Sequence, residues 1–156
     1  MKALLDDFKF KFKKCDELTI DEIEQKYKLC VTMYPKFKKY YEKNRYYSTI
    51  KPQMTLNIIH KGKIIGSGKF QWTKVDVSGS KIKLFSFGLL IYPEYQNQGL
   101  GSHAIQLNID KARKMGADLL LGSSSNQIVE KICRSLGFKV LKCKVSYTTP
   151  EGERED

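Results

Sequence analysis

Apolar residues at every second position predict strands in the first half of the chain. Phe8, Phe10 and Phe12 alternate with lysines, which is the period of a strand that buries one face. Three later segments also have extended patterns: 54–58, 64–72 and 82–91. A hairpin turn containing glycine is predicted at 60–63, and another turn at 75–80. We therefore expect this half of the chain to contribute four strands.

Two helices are predicted between the first strand and the second. Thr19 followed by Glu22 is the pattern of a capping box, and apolar residues continue from there at helical spacing. This helix is expected to end near Tyr34 and Pro35, because a proline disfavours helix at the residue before it. A second helix is predicted over 36–47.

The second half of the chain alternates helices with short strands. A helix is expected to end at Gly116, a typical helix C-cap. The apolar segment 118–121 then predicts a buried strand. Ser125 or Asn126 can cap the next helix, which 136–138 ends. Final strands are predicted at Val140 and 145–148. The order β-α-α-β-β-β-α-β-α-β-β predicts an α/β fold with a mixed sheet flanked by helices.

The most informative segment is a glycine loop between a strand and a helix. The apolar run 87–91 leads through Pro93 into the sequence Gln96-Asn97-Gln98-Gly99-Leu100-Gly101, after which the helical pattern begins. The first N–H groups of a helix have no partners within it and carry partial positive charge, so they can bind phosphate. Glycine lacks a Cβ, so a ligand can lie against the backbone. The loop predicts a phosphate site, although a plain turn would also use glycine.

Length and composition fit a single domain with an ordinary core. The chain has 156 residues, and we expect one domain over 1–150 followed by a charged, flexible tail at 151–156. The four cysteines have no metal-ligand spacing, and no apolar stretch is long enough for a membrane span. We therefore expect a cytoplasmic protein with reduced thiols, a monomer or homodimer, without a metal or a membrane contact.

The net charge of +11 is concentrated in the middle of the chain. Residues 34–91 contain twelve lysines and arginines against Glu42 and Asp76, a net of +10 in this block. Such a block is either a solvated surface or one that attracts an acidic partner or substrate. Within it, 34–47 mixes basic and aromatic residues. Single-stranded nucleic acid can bind such a pattern, but the packing of an amphipathic helix explains it more simply.

The glycine loop closely resembles the acetyl-CoA loop of the GCN5-related N-acetyltransferases (GNAT). In that family a hydrophobic strand and a proline precede the motif Arg/Gln-x-x-Gly-x-Gly/Ala, in which x is any residue. Here Gln96, Gly99 and Gly101 occupy the three defined positions of this motif. A second match, at the family's separation, is Asn126 with 136–138. The resemblance covers the element order of the whole chain. It implies a GNAT-like α/β fold with a mixed, mostly antiparallel sheet, and an acyltransferase that uses acetyl-CoA.

The resemblance also implies which residues bind the donor. Backbone groups of Leu89, Leu90 and Ile91 would pair with the pantetheine arm of acetyl-CoA. The diphosphate would lie on the loop and the helix start, formed by Gln96, Asn97, Gln98, Gly99, Leu100, Gly101 and Ser102. Asn126 would contact the pantetheine or position the thioester, and it can cap its helix at the same time.

Members of this family transfer the acetyl group by direct attack of an amine, through a tetrahedral intermediate. A backbone N–H of Leu90 or Ile91 would stabilise the oxyanion. The departing thiolate is commonly protonated by a Tyr seven residues after the Asn, but that position here is Cys133. Cys133 is either a proton donor or a small packing residue, and Tyr147 is a substitute donor without positional support. Cys133 and Tyr147 are therefore the catalytic candidates.

The general base is not apparent from the sequence. No carboxylate occurs in 82–91 or 119–125, where family members often keep a Glu. His60 and His103 could titrate near neutrality, although surface roles are simpler. An amine of low pKa, or water, would remove the need for a dedicated base.

The resemblance implies an N-acetyltransferase that acts on the primary amine of a small molecule or peptide, with acetyl-CoA as cosubstrate. The basic block would favour an acidic acceptor. Two alternatives stay open: an acyl-CoA-binding domain with little transferase activity, and a nucleic-acid or ribosome-associated protein built on the same fold.

Overall fold

The computed structural model describes residues 5–46, 48, 50–124 and 126–142, together with the backbone of 146–149 and 152–155. The strands are β1 (Phe8–Lys14), β2 (Met54–His60), β3 (Lys63–Val77), β4 (Ser80–Phe87), β5 (Leu90–Ile91), β6 (Leu119–Leu121), β7 (Ser146–Thr149) and β8 (Gly152–Glu155). The helices are α1 (Ile20–Met33), α2 (Lys38–Lys43), α3 (Leu100–Lys114) and α4 (Gln127–Ser135).

The main sheet has six strands, in the order β1-β2-β3-β4-β6, and β5 also pairs with β3. Neighbouring strands are antiparallel, except that β4 and β6 are parallel. Two parallel strands must be joined by a crossover connection, and the connection from β4 to β6 contains α3. The predicted mixed, mostly antiparallel sheet flanked by helices is confirmed.

A break divides the segment 82–91, and the prediction of one strand there is wrong. Both parts, β4 and β5, pair with β3 in one continuous register. Between them, the carbonyl oxygen of Gly88 lies where a side chain of Gly68 would stand; a Cβ built on Gly68 would be 1.7 Å from it. The Gly88 N–H still donates to the Lys69 carbonyl at 3.0 Å. The break therefore depends on a close backbone approach across the sheet, which the local pattern does not reveal.

The first helix begins and ends close to its predicted bounds. Thr19 Oγ1 accepts from the Glu22 N–H at 3.1 Å, and a Glu22 carboxylate oxygen accepts from the Thr19 N–H at 2.8 Å, so the capping box is present. The second helix is shorter than predicted. A 3₁₀ turn at Pro35–Phe37 precedes α2, which ends at Lys43. Part of the predicted span, residue 47, lies outside the described residues.

Helices cover both faces of the sheet. On one face, α3 and α4 pack against β3 and β4 through an apolar cluster that includes Phe70, Phe85, Phe87, Ile105, Ile109 and Ile132. On the other face, α1 and α2 pack against β5 through Leu29, Cys30, Tyr41 and Leu90. We call the second one the α1–α2 face.

Packing explains the aromatic residues of the mixed segment from Tyr34 to Tyr41. Tyr41 is 3% exposed and lies in the cluster on the α1–α2 face. The partly buried rings of Tyr34, Phe37 and Tyr40 pack against the same cluster. The aromatic rings are therefore engaged in the core, as amphipathic helix packing requires.

Three further expectations need correction. The segment 75–80 is not all turn, since β3 continues to Val77 and only Ser78 and Gly79 have the positive φ angles of a tight turn. The strand predicted at 118–121 is an edge strand and not a buried one: β6 pairs with β4, and Leu119 is 45% exposed. Val140 lies in no strand.

The last strands form a separate two-stranded sheet in which β7 and β8 pair antiparallel. This confirms a strand close to the predicted 145–148. The single domain over 1–150 and the mobility of 151–156 stay predictions. None of the helices in the described part of the chain is long and apolar enough to span a membrane.

Candidate functional site

The glycine loop ends in an exposed helix start. Gly99 has φ of +81°, the left-handed conformation that glycine adopts without strain, and α3 begins directly after it. The His103 N–H donates to the Gly99 carbonyl at 3.1 Å, so the preceding N–H groups of the first turn have no acceptor within the helix. A Cβ added to Gly99 or Gly101 would meet nothing within 4 Å. The start of α3 is thus open to an anion.

A cleft lies beside this helix start. It has a volume of about 410 Å³ and is lined by residues that include Gln98, Gly99, Ser102 and His103. Backbone N–H groups at a helix start attract phosphate oxygens, and the cleft leaves room for the rest of a ligand. The predicted phosphate site therefore fits the geometry of this part of the chain.

The second element of the site is a free strand edge. In the described residues, β5 pairs with β3 on one edge and with no strand on the other. The Tyr92 N–H donates to the Ile65 carbonyl of β3, so the backbone groups of Ile91, one residue earlier, point to the opposite edge. By the same alternation Leu89 faces the open edge, whereas the backbone groups of Leu90 face Ser67 of β3. The open edge thus presents Leu89 and Ile91.

Gln96 connects the strand edge to the loop. Its Nε2 donates to the Ile91 carbonyl at 2.8 Å. This bond occupies the Ile91 oxygen but leaves the Ile91 N–H available at the open edge. The side chain of the first loop residue therefore holds the loop against the end of β5.

The next helix places Asn126 and Cys133 beyond β6. Asn126 is the N-cap of α4, because its Oδ1 accepts from the Ile128 N–H at 2.9 Å. Cys133 lies on the inner side of α4 and packs against the cluster of Phe87 and Ile105. Burial raises the pKa of the Cys133 thiol. The thiol is therefore protonated at neutral pH, as either a packing residue or a proton donor requires.

Two predicted residues cannot be placed by their side chains. The backbone of Tyr147 lies in β7, which pairs with β8, and its side chain is outside the described residues. Ser125, the alternative cap of α4, is also outside them. Tyr147 as a proton donor stays a prediction.

Strands β4 and β6 carry no carboxylate on the α1–α2 face next to the break. The side chains that alternation places there are Ile82, Leu84, Ser86, Leu119 and Leu121. The two histidines contact β1 instead: the His60 ring stacks on Phe8 at 4.7 Å between centroids, and the His103 ring meets Phe10 edge-on at 4.6 Å. These contacts give both rings structural roles.

The basic block 34–91 does not form one surface. Arg45 pairs with Glu24 at 3.7 Å, and Lys51 pairs with Asp16. Strand alternation places Lys69 on the α1–α2 face and three other lysines on the opposite face: Lys74, Lys81 and Lys83. The total charge of the block therefore does not identify an acidic-substrate groove by itself.

A buried lysine lies under α1, and sequence reasoning missed it. Lys26 is 4% exposed, and its Nζ donates to Thr55 Oγ1 at 2.7 Å and to Ser67 Oγ. Ser67 Oγ in turn donates to Asn57 Oδ1 at 2.7 Å. No carboxylate of the described chain forms an ion pair with Lys26, and burial lowers its pKa to about 8. The signal was its helical spacing, three residues after Ile23, on the apolar stripe of α1.

Lys26 should make folding stability depend on pH. The folded protein releases the Lys26 proton near pH 8, whereas the unfolded chain keeps it to the ordinary pKa of 10.5. Between these values the unfolded state binds more protons, so stability rises with pH, and a shift of this size corresponds to roughly 3 kcal/mol. Urea denaturation at pH 7.5 and pH 10 should show wild type gaining about 2 kcal/mol relative to Lys26→Met. Equal pH dependence in both proteins would contradict a buried ammonium.

A model of the acetyltransferase (GNAT) family matches residues 18–138 of the chain. No curated protein matches the sequence. The match begins just before α1 and extends past the end of α4. It therefore includes the open edge of β5 and the glycine loop.

Solved structures share the fold at low sequence identity. An aminoglycoside N-acetyltransferase in complex with CoA is 15% identical, with a TM-score of 0.61 over 92% of this chain and 96% of its own. An acetyltransferase from Trypanosoma brucei is 15% identical, with a TM-score of 0.64 over 90% of this chain and 100% of its own. An aminoglycoside acetyltransferase from an uncultured soil metagenomic sample, in complex with sisomicin, is 12% identical, with a TM-score of 0.66 over 92% of this chain and 96% of its own.

Proposed function

The chain belongs to the acetyltransferase (GNAT) family, and on that basis we propose that it transfers an acetyl group from acetyl-CoA to the primary amine of a small molecule or peptide. One observation carries the proposal. The open edge of β5 is followed along the chain by the glycine loop, and the loop is followed by the free N–H groups at the start of α3. A strand edge can form hydrogen bonds with the amides of the pantetheine arm, and a helix start can bind a diphosphate. The arm and the diphosphate are also neighbouring parts of coenzyme A.

We assign the donor side from this geometry. The backbone groups of Leu89 and Ile91 would pair with the pantetheine amides, as an added strand does. Leu90 would support the edge indirectly, since its backbone faces β3 and its side chain packs in the cluster on the α1–α2 face. The diphosphate would lie on the residues of the loop and the first helical turn: Gln96, Asn97, Gln98, Gly99, Leu100, Gly101 and Ser102. Asn126 would contact the pantetheine from the start of α4.

The reaction needs an attacking amine, an oxyanion donor and a proton for the thiolate. The amine nitrogen attacks the thioester carbon, the carbon–sulfur bond breaks, and water accepts the proton that the nitrogen loses. Of the two N–H groups considered for the oxyanion, that of Leu90 faces β3 and that of Ile91 lies next to the loop, where it would pair with the pantetheine. Because the diphosphate would lie at the loop, the thioester would lie at the other end of the open edge, and we therefore assign oxyanion stabilisation to the Leu89 N–H.

The proton donor to the thiolate is either Cys133, Tyr147 or water. We expect Cys133→Ala to lower the free energy of unfolding by about 1 kcal/mol and to leave kcat within about twofold, because Cys133 packs against apolar side chains and water can deliver the proton. Denaturation and steady-state kinetics measure both effects. A tenfold loss of kcat would make Cys133 the general acid; the same loss in Tyr147→Phe, with Cys133→Ala active, would assign the role to Tyr147.

The acceptor of this chain differs in charge from an aminoglycoside. An aminoglycoside carries several ammonium groups, which carboxylates would bind. Among the described residues, β4 and β6 place no carboxylate on the α1–α2 face beside the break, and β3 places Lys69 there. We therefore propose an acceptor without clustered positive charge.

Release of the coenzyme A thiol tests the proposal. The purified protein is mixed with acetyl-CoA and a panel of primary amines, and free thiol is measured over time. Saturable, amine-dependent release supports acetyl transfer. Saturable coenzyme A binding without release for any amine would favour an acyl-CoA-binding domain, an alternative suggested by Cys133 at the usual tyrosine position.

A further inference from the structure

A half-buried cation lies on the α1–α2 face of β3. Lys69 alternates with Ser67 and Gln71, and the contacts of these two residues identify the face. Ser67 accepts from Lys26 of α1, and Ser48 Oγ, which precedes β2, donates to Gln71 Oε1 at 3.4 Å. Side chains two residues apart in a strand point the same way, so Lys69 lies between these contacts.

Lys69 stands directly opposite the break between β4 and β5. Its carbonyl accepts from the Gly88 N–H at 3.0 Å. The next residue after Gly88 is Leu89, the first residue of the open edge. Neighbouring strands lie about 5 Å apart. The Lys69 side chain therefore emerges beside the end of the edge where the reacting thioester is proposed to lie.

Lys69 has no counterion among the residues that the structure describes. Its ammonium makes no hydrogen bond or ion pair with any residue of the described chain. Burial alone lowers the pKa of its ammonium, and no neighbouring charge contributes to that shift. A partly buried charge is costly unless an opposite charge meets it. An anion from outside the chain would satisfy it.

The other cations of the basic block are placed differently. Arg45 and Lys51 have carboxylate partners. Lys74 lies on the same strand as Lys69, but on the opposite face and in an exposed position. The neighbouring side chains on the α1–α2 face of β4, such as Ser86, are neutral. Lys69 is thus the lysine that strand alternation places on the α1–α2 face beside the break between β4 and β5.

We propose that Lys69 binds an anionic group of the acceptor, a carboxylate or phosphate carried close to the reacting amine. The inference rests on the proposed acetyl transfer and names its substrate class as small anionic amines. An ammonium that already lies in a partly buried position binds an anion through a charge-assisted hydrogen bond, which is stronger than a neutral one. The anion would hold the amine beside the open edge of β5.

Matched amines that differ only in charge provide the test. We expect wild type to prefer 4-aminobutyrate over 4-aminobutanamide, and β-alanine over β-alaninamide, by at least about tenfold in kcat/KM at pH 7.5. In Lys69→Met the preference should fall to within about threefold, mainly through a higher KM for the carboxylate. Lys69→Arg should keep most of the preference, since it keeps the charge.

Lys74→Met is the matched control, because it removes a lysine from the same strand and the opposite face. It should leave the charge preference unchanged. A preference that survives in Lys69→Met would overturn the proposal. So would an equal loss of kcat for both members of each pair, with a shifted pH profile, because that result would make Lys69 a general base.

A binding measurement separates this inference from the proposed function. Calorimetry with coenzyme A present measures the affinity of 4-aminobutyrate for wild type and for Lys69→Met without turnover. If Lys69-dependent binding occurs but no amine releases thiol, the anion site stands and acetyl transfer fails. If amines are acetylated without a charge preference, acetyl transfer stands and the anion site fails. No binding and no turnover of the carboxylate would overturn the anion site.

Discussion

Gly101→Glu is expected to weaken acetyl-CoA binding about 100-fold while making the protein slightly more stable. Gly101 is the second residue of α3, and a side chain there would enter open space. A carboxylate at a helix start stabilises the helix, and any residue with better helix propensity than glycine adds to that, about 1 kcal/mol together. The same carboxylate would lie roughly 5 Å from the diphosphate, where like charges cost about 3 kcal/mol.

Gly101→Gln separates charge from size in this experiment. The amide has the shape of the carboxylate without its charge, so its acetyl-CoA affinity should fall less than about tenfold. The difference between the Glu and Gln variants should shrink as salt is added, because salt screens exposed charges. Calorimetric titration measures the affinity, and thermal unfolding measures the stability. Equal losses in both variants would mean that the cleft is blocked sterically, and wild-type affinity in Gly101→Glu would place the diphosphate elsewhere.

The parts of the fold that were predictable are those encoded by neighbouring residues. The capping box of Thr19 and Glu22 and the glycine at residue 99 act within one helical turn, and both occur as the sequence indicates. Asn126 caps α4 for the same reason. Helix starts are therefore the most reliable features of this sequence.

Features that depend on distant residues were not predictable. The segment 82–91 has an uninterrupted extended pattern, and the break within it requires Gly68 on the neighbouring strand. The exposure of Leu119 follows from the position of β6 at the edge of the sheet. Both depend on strand order, which a one-dimensional hydrophobic pattern does not contain.

The two lysines buried or half-buried under the α1–α2 face were missed for a related reason. Lys26 and Lys69 were counted as part of the overall charge, although their positions in the periodic pattern differ from those of surface lysines. Lys26 interrupts the apolar stripe of α1, and Lys69 lies among polar residues on one side of a strand whose other side carries Phe70 and Trp72. A lysine at a position where the periodic pattern predicts a buried side chain therefore indicates a site better than the net charge of a segment does.

Gly68→Ala is expected to destabilise the protein by about 3 kcal/mol or more, a loss at the upper end for a single methyl group. The added Cβ would lie 1.7 Å from the Gly88 carbonyl oxygen, 2.6 Å from the Gly88 carbonyl carbon and 3.0 Å from Leu89 Cα. All three atoms belong to the backbone, so no side chain can rotate away. Relief requires β3 to separate from the link between β4 and β5, which would also move the open edge of Leu89 and Ile91.

Gly101→Ala provides the matched control, because it makes the same chemical change where nothing lies within 4 Å. It should raise stability by roughly 0.5–1 kcal/mol, as alanine does in a helix. Urea denaturation of both variants gives the comparison, and acetyl-CoA titration of any folded Gly68→Ala protein gives the effect on the site. If Gly68→Ala unfolded at the wild-type urea concentration, the backbone of Gly88 would have to lie away from β3, and the strand break would need another cause than this contact.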